Sequence, residues 1–91
     1  MSDTLEVTIY KTQHCTRCMF IERFLTTQFS NDNVKFNQKD MTDDDLNLFT
    51  NKGFYSSPVV EVDGEYYAAV SKQDTDKLIS AIKAALLKNN L

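Results

Sequence analysis

Residues 15–18 read Cys15-Thr16-Arg17-Cys18 and hold the only two cysteines of the 91-residue chain. Before them, Leu5, Val7 and Ile9 alternate with Glu6, Thr8 and Tyr10, the period of a strand. After them, Phe20, Ile21, Phe24, Leu25 and Phe29 recur at helical spacing. The pair therefore stands where a strand gives way to a helix. A thiol at a helix N-terminus faces unpaired backbone N–H groups and the positive end of the helix dipole, both of which favour the thiolate, the reactive form. A second cysteine one turn later is close enough to attack a mixed disulfide formed at the first. These features predict Cys15 as nucleophile and Cys18 as resolving thiol. Cys18 falls three residues before Ile21, so it is expected to be the less exposed of the two.

The remaining elements follow from local chemistry. Ser30-Asn31-Asp32-Asn33 ends the first helix, and Val34 to Lys39 forms a second strand. Thr42 and Asp45 have the spacing of a capping box, opening a short helix that carries Leu46 and Phe49 inward and stops at Gly53. Val59 to Val62 and Glu65 to Ala69 flank Asp63-Gly64, a strong hairpin signal. Ser71 and Asp74 repeat the capping pattern before a last helix with Leu78, Ile79, Ile82, Ala85 and Leu86 on one face. The predicted order is β-α-β-α-β-β-α. Helices between the early strands imply parallel pairing, and the hairpin forces the last pair antiparallel, which gives a four-stranded mixed α/β sheet flanked by helices.

At this length the chain supplies one modest core, and we expect a single domain over residues 1–91 that acts as a monomer. A net charge of −3 without a Lys/Arg cluster argues against nucleic-acid binding. No signal-peptide pattern and no run near the roughly 20 apolar residues needed to span a bilayer is seen, so the expected location is the cytoplasm, or a host cytoplasm for a viral protein. In that compartment a close cysteine pair points to catalysis or metal rather than to a structural staple.

With Cys-x-x-Cys opening the first helix and the lone Pro58 opening the third strand, the chain resembles the thioredoxin fold. Within that fold it is most similar to glutaredoxins, and among those to NrdH-type redoxins, over about residues 5 to 88. Val7-Thr8-Ile9-Tyr10, the Cys15-Thr16-Arg17-Cys18 motif and Gly53-Phe54-Tyr55-Ser56-Ser57-Pro58-Val59-Val60 carry the likeness, the last matching a Gly-Phe-x-x-x-Pro-Val stretch. The resemblance implies a cis bond before Pro58, packed beside Cys15, and a Ser57 backbone offered to an incoming peptide. Thr16, Arg17, Tyr55, Ser57 and Pro58 are then the candidate substrate-binding residues. It also implies ribonucleotide reductase as a client and thioredoxin reductase with NADPH as electron donor, with no tightly bound cofactor. Glutathione is the alternative donor, but glutathione-using members carry a basic residue three before the first cysteine, a Thr-Val-Pro triplet, and a Gly-Gly pair followed by Asp. Here those positions hold Thr12, Ser56-Ser57-Pro58 and Ala69-Val70, with Asp74 retained. The Ser-Gly-Phe stretch common in NrdH-type redoxins is Ala69-Val70-Ser71 here.

Two other classes compete. A zinc site would need four protein ligands, against two cysteines and the single His14, which we read as a solvated loop residue. A catalytically idle adaptor would use its rim, with Tyr55 as a recognition aromatic, but leaves both cysteines unexplained. Arg17, and at longer range Lys11 and His14, are expected to favour the Cys15 thiolate. Phe20, Phe24 and Phe29 are expected in the core, one of Tyr66 and Tyr67 in the core and the other on the surface, and Asp43-Asp44-Asp45 at a helix start.

Overall fold

The computed structural model describes residues 4–89. The apolar alternation at the start of the chain makes β1 (Leu5–Lys11) the strand on which the sheet is built. It pairs in parallel with β2 (Val34–Asp40), Leu5 opposite Val34 and Lys11 opposite Asp40, and antiparallel with β3 (Val59–Val62), Ile9 opposite Val60. Asp63 and Gly64, both with positive φ (51° and 84°), turn β3 into β4 (Glu65–Ala68). Positive φ at both central residues is the hairpin geometry that Asp-Gly favours. The sheet order is β2-β1-β3-β4. With α1 (Thr16–Gln28), α2 (Asp43–Asn51) and α3 (Lys72–Asn89), the element order is the expected one. No helix among the described residues is long and apolar enough to cross a membrane.

Alternation along the strands sends side chains to two different layers. On one face Leu5, Val7, Ile9, Val60 and Val62 meet Ile21, Leu25 and Phe29 of α1 and Leu78, Ile82 and Ala85 of α3 in one buried cluster. On the other, Phe49 of α2 is 2% exposed and meets the edges of Tyr10 and Tyr66, ring centres 5.0 and 5.2 Å away. Helices thus cover both faces. That corrects the reading of Tyr66 and Tyr67: both are half-buried, Tyr67 against the first cluster and Tyr66 against Phe49, because neither face is left to solvent. Phe20 is also corrected. It stands about 140° around α1 from Leu25, is 66% exposed, and stacks on the half-buried Phe24 instead of entering the core. Leu46, expected inward, is 43% exposed at the rim of a groove beside α2.

Both capping boxes form. The Asp45 N–H donates to Thr42 Oγ1 (3.1 Å) and the Thr42 N–H to Asp45 Oδ2 (3.0 Å). The Asp74 N–H donates to Ser71 Oγ and the Ser71 N–H to Asp74 Oδ2. Gly53, just past α2, has φ +93°, so the helix ends where only glycine enters the left-handed region cheaply. The Thr42 backbone N–H, then its hydroxyl and Lys39, hold the Asp45 carboxyl below its ordinary value. A carboxylate depressed on folding binds fewer protons in the native state. Its contribution is therefore present above the unfolded value near 3.9 and is lost as pH falls through the folded one. Below about pH 4, Asp45→Asn is expected to show a flatter loss of thermal stability with falling pH than the unsubstituted chain; parallel slopes would remove Asp45 from the acid response.

Candidate active site

Cys15 is the N-cap of α1, with extended backbone (φ −99°, ψ 97°), and its Sγ accepts a hydrogen bond from the Cys18 N–H at 3.0 Å. The sulfur thus takes the place that a serine or threonine oxygen commonly fills at a helix start. Helical spacing puts Cys18 within reach, and the two are joined as a disulfide with Cα atoms 5.2 Å apart. Cys18 is 2% exposed, whereas Cys15 is half-buried, the asymmetry expected from the helical stripe. His14, which precedes the motif, has φ 57° and an exposed side chain, and histidine is among the residues enriched in that region.

The loop before β3 closes over the motif. The Ser57–Pro58 bond is cis, as the resemblance implied, and Pro58 is fully buried. Ser57 Oγ lies 3.5 Å from Cys15 Sγ and 2.9 Å from Thr12 Oγ1. Arg17 Nη1 donates to the Ser57 carbonyl oxygen at 3.2 Å. Two stretches far apart in sequence, residues 12–18 and 57–58, therefore meet at one sulfur. Of the Ser57 backbone that was expected to meet a peptide, the carbonyl oxygen already accepts from Arg17 through one of its two lone pairs. Lys11 is directed elsewhere, donating from Nζ to Gln38 Oε1 at 3.0 Å.

Thr16 is exposed in the first turn of α1. Tyr55, 80% exposed, lines an open groove of about 400 Å³ together with Arg17, Leu46, Phe49, Phe54 and Ser57. A second groove, about 500 Å³, runs from Arg17 past Phe20 and Phe24 to Val70 and Lys72. Among the described residues, no three or more His, Cys, Asp or Glu side chains gather as metal ligands. Sequence reasoning missed Thr12 as a site residue; it is 45 residues from Ser57 and no local pattern links them. It also missed that Asp74 Oδ2 accepts from the Val70 N–H as well as from Ser71, both at 3.2 Å.

No family model matches the chain. No curated protein matches it either. Solved structures do. A mutant of the thioredoxin-like protein BC3987 is 25% identical, with 80% of this chain and 97% of that one covered and a TM-score of 0.56. Thioredoxin f2, solved in complex with ferredoxin:thioredoxin reductase, is 22% identical over 92% of this chain and 79% of its own, TM-score 0.57. Oxidized mitochondrial thioredoxin 3 from Saccharomyces cerevisiae is 19% identical over 90% and 79%, TM-score 0.54. The chain has a thioredoxin-like fold. On a thioredoxin-like frame, a half-buried sulfur bonded to a buried one is a disulfide-capable site, and the pair supports thiol-disulfide oxidoreductase chemistry in general.

Proposed function

We propose that this protein is a dithiol redoxin that reduces protein disulfides in the cytoplasm. The observation that carries the reading is the unequal exposure of the two sulfurs, with the accessible one capped by a backbone N–H. In the reduced state the Cys15 thiolate attacks one sulfur of a substrate disulfide. The S–S bond breaks, the sulfur that was not attacked leaves as a thiolate and takes a proton from solvent, and the attacked one, the second to be released, stays bonded to Cys15. Cys18, deprotonated, then attacks Cys15 Sγ and expels that second sulfur. The substrate has gained two electrons and the Cys15–Cys18 disulfide remains, to be reduced by an external two-electron donor.

For the donor we favour a thioredoxin-reductase-type flavoprotein using NADPH, and for a client ribonucleotide reductase, both following from the likeness to NrdH-type redoxins. The complex of thioredoxin f2 with its reductase supports a reductase as the class of partner. Two features argue against glutathione as donor. Ser57 replaces the apolar middle residue of the Thr-Val-Pro triplet, and the N–H groups of Val70, the second residue at the position of the usual Gly-Gly pair, and of Ser71 after it are already held by Asp74. Arg17 and Tyr55, at the groove beside Ser57, would then meet the substrate peptide.

Cys18→Ser tests the order of the two sulfurs. It is expected to accumulate a covalent adduct between Cys15 and a disulfide substrate, seen as a mass increase that reductant removes. An adduct on Cys18 of a Cys15→Ser chain, with none on Cys15 of the Cys18→Ser chain, would reverse the assignment.

A further inference from the structure

We infer that Ser57 and Thr12 form a one-way hydroxyl relay that holds the Cys15 thiolate, with Ser57 donating to the sulfur and Thr12 acting only through Ser57. The inference rests on Cys15 being the attacking sulfur. Ser57 Oγ is within hydrogen-bond reach of Cys15 Sγ at 3.5 Å and of Thr12 Oγ1 at 2.9 Å, all three side chains half-buried. Each hydroxyl has one proton and two lone pairs, so with a protonated sulfur the contacts can run either way, and a disulfide sulfur, which has no proton, accepts too weakly to fix their direction. A thiolate removes that freedom. It carries no proton, so the Ser57 O–H must donate to it, and Ser57 Oγ then has only lone pairs to offer Thr12, whose O–H donates in turn.

Charge on the sulfur thus aligns two O–H dipoles toward it, beside the Cys18 N–H already directed there at 3.0 Å. Hydrogen bonds to the charged form stabilise that form, more strongly where water is partly excluded. Thr12 touches no sulfur in this arrangement. It is a positioning residue, whereas Ser57 contacts the reacting atom. A position that is apolar in the Thr-Val-Pro triplet here bears the donor.

The test is the pH dependence of iodoacetamide alkylation at Cys15 in the reduced full-length chain, located by mass spectrometry. Ser57→Ala is expected to move the midpoint up by about one unit, the scale of one hydrogen bond to a charged group. Ser57→Thr, which keeps the hydroxyl, should restore it. Thr12→Val should raise it by less, and should add nothing in the Ser57→Ala background. Equal midpoints for Ser57→Ala and the unsubstituted chain would overturn the relay, as would a Thr12→Val effect that persists without the Ser57 hydroxyl. Ser57→Ala and Thr12→Val nearly conserve size, Ser57→Thr adds one methyl, and far-UV circular dichroism of the reduced variants checks that all three fold. Alkylation needs no substrate or donor. A shifted midpoint in a chain that reduces no disulfide would therefore sink the proposed function and leave the relay, while normal turnover with an unshifted midpoint would do the reverse.

Discussion

Cys15→Ser is expected to leave no disulfide-reductase turnover above the rate measured without the protein. A serine oxygen cannot form the mixed disulfide, so the covalent route is removed outright rather than slowed. The substitution is also gentle on the fold. Cys15 caps α1 by accepting from the Cys18 N–H, and serine is among the preferred residues for that position. Thermal unfolding of the reduced chain should therefore stay close to that of the unsubstituted one, which separates lost chemistry from lost structure. Retained turnover would mean that Cys18 attacks the substrate disulfide. At 2% exposure, that would require α1 to open at its start, and Cys15 would no longer be the attacking sulfur.

The largest expected stability effect is at Phe49. Its ring is the buried anchor of the α2 face, edge-on to Tyr10 and Tyr66 and 6.4 Å from Phe54. Phe49→Ala removes these contacts and opens a cavity beside α2, a change that costs about 3–5 kcal/mol at buried phenylalanines. Against the roughly 5–15 kcal/mol that holds a small domain together, this is a large share, and the melting temperature should fall by about 15 °C or more. Phe49 also lines the groove next to Ser57, so substrate binding should weaken along with stability. A melting temperature within a few degrees of the unsubstituted chain would show that α2 is held by something other than its aromatic anchor.

The parts of this molecule that were readable in the sequence are those set by neighbours along the chain. Alternation in Leu5–Lys11, the spacings Thr42 to Asp45 and Ser71 to Asp74, and Asp63-Gly64 each specify a local geometry through a nearby hydrogen bond or backbone preference, and each appears in the structure. The difference in exposure between Cys15 and Cys18 was readable for the same reason, since helical spacing decides which sulfur turns inward. Phe20 failed because hydrophobicity records what a side chain could bury, not whether the sheet reaches that side of α1. Leu46 failed similarly, on a helix short enough for one aromatic ring to anchor it. Tyr66 and Tyr67 failed because alternation sends the rings to opposite faces without saying how far each is covered, and helices on both faces, themselves expected, leave each ring half-buried. The grouping of Thr12, Cys15 and Ser57 exists only once β1 and β3 are paired, so no local signal marks it. Arg17 was identified for its charge, but its partner, the Ser57 carbonyl, lies 40 residues away.

The most direct test of the central claim is NADPH consumption during reduction of a small disulfide-bonded protein. It would be measured once with thioredoxin reductase and once with glutathione plus glutathione reductase, each beside the Cys15→Ser control. A dithiol redoxin of this kind should turn over with thioredoxin reductase, not with glutathione, and not in either control. No turnover with either donor, by a folded chain whose Cys15–Cys18 disulfide chemical reductants open normally, would contradict the dithiol redoxin reading; turnover with glutathione alone would contradict the donor assigned to it.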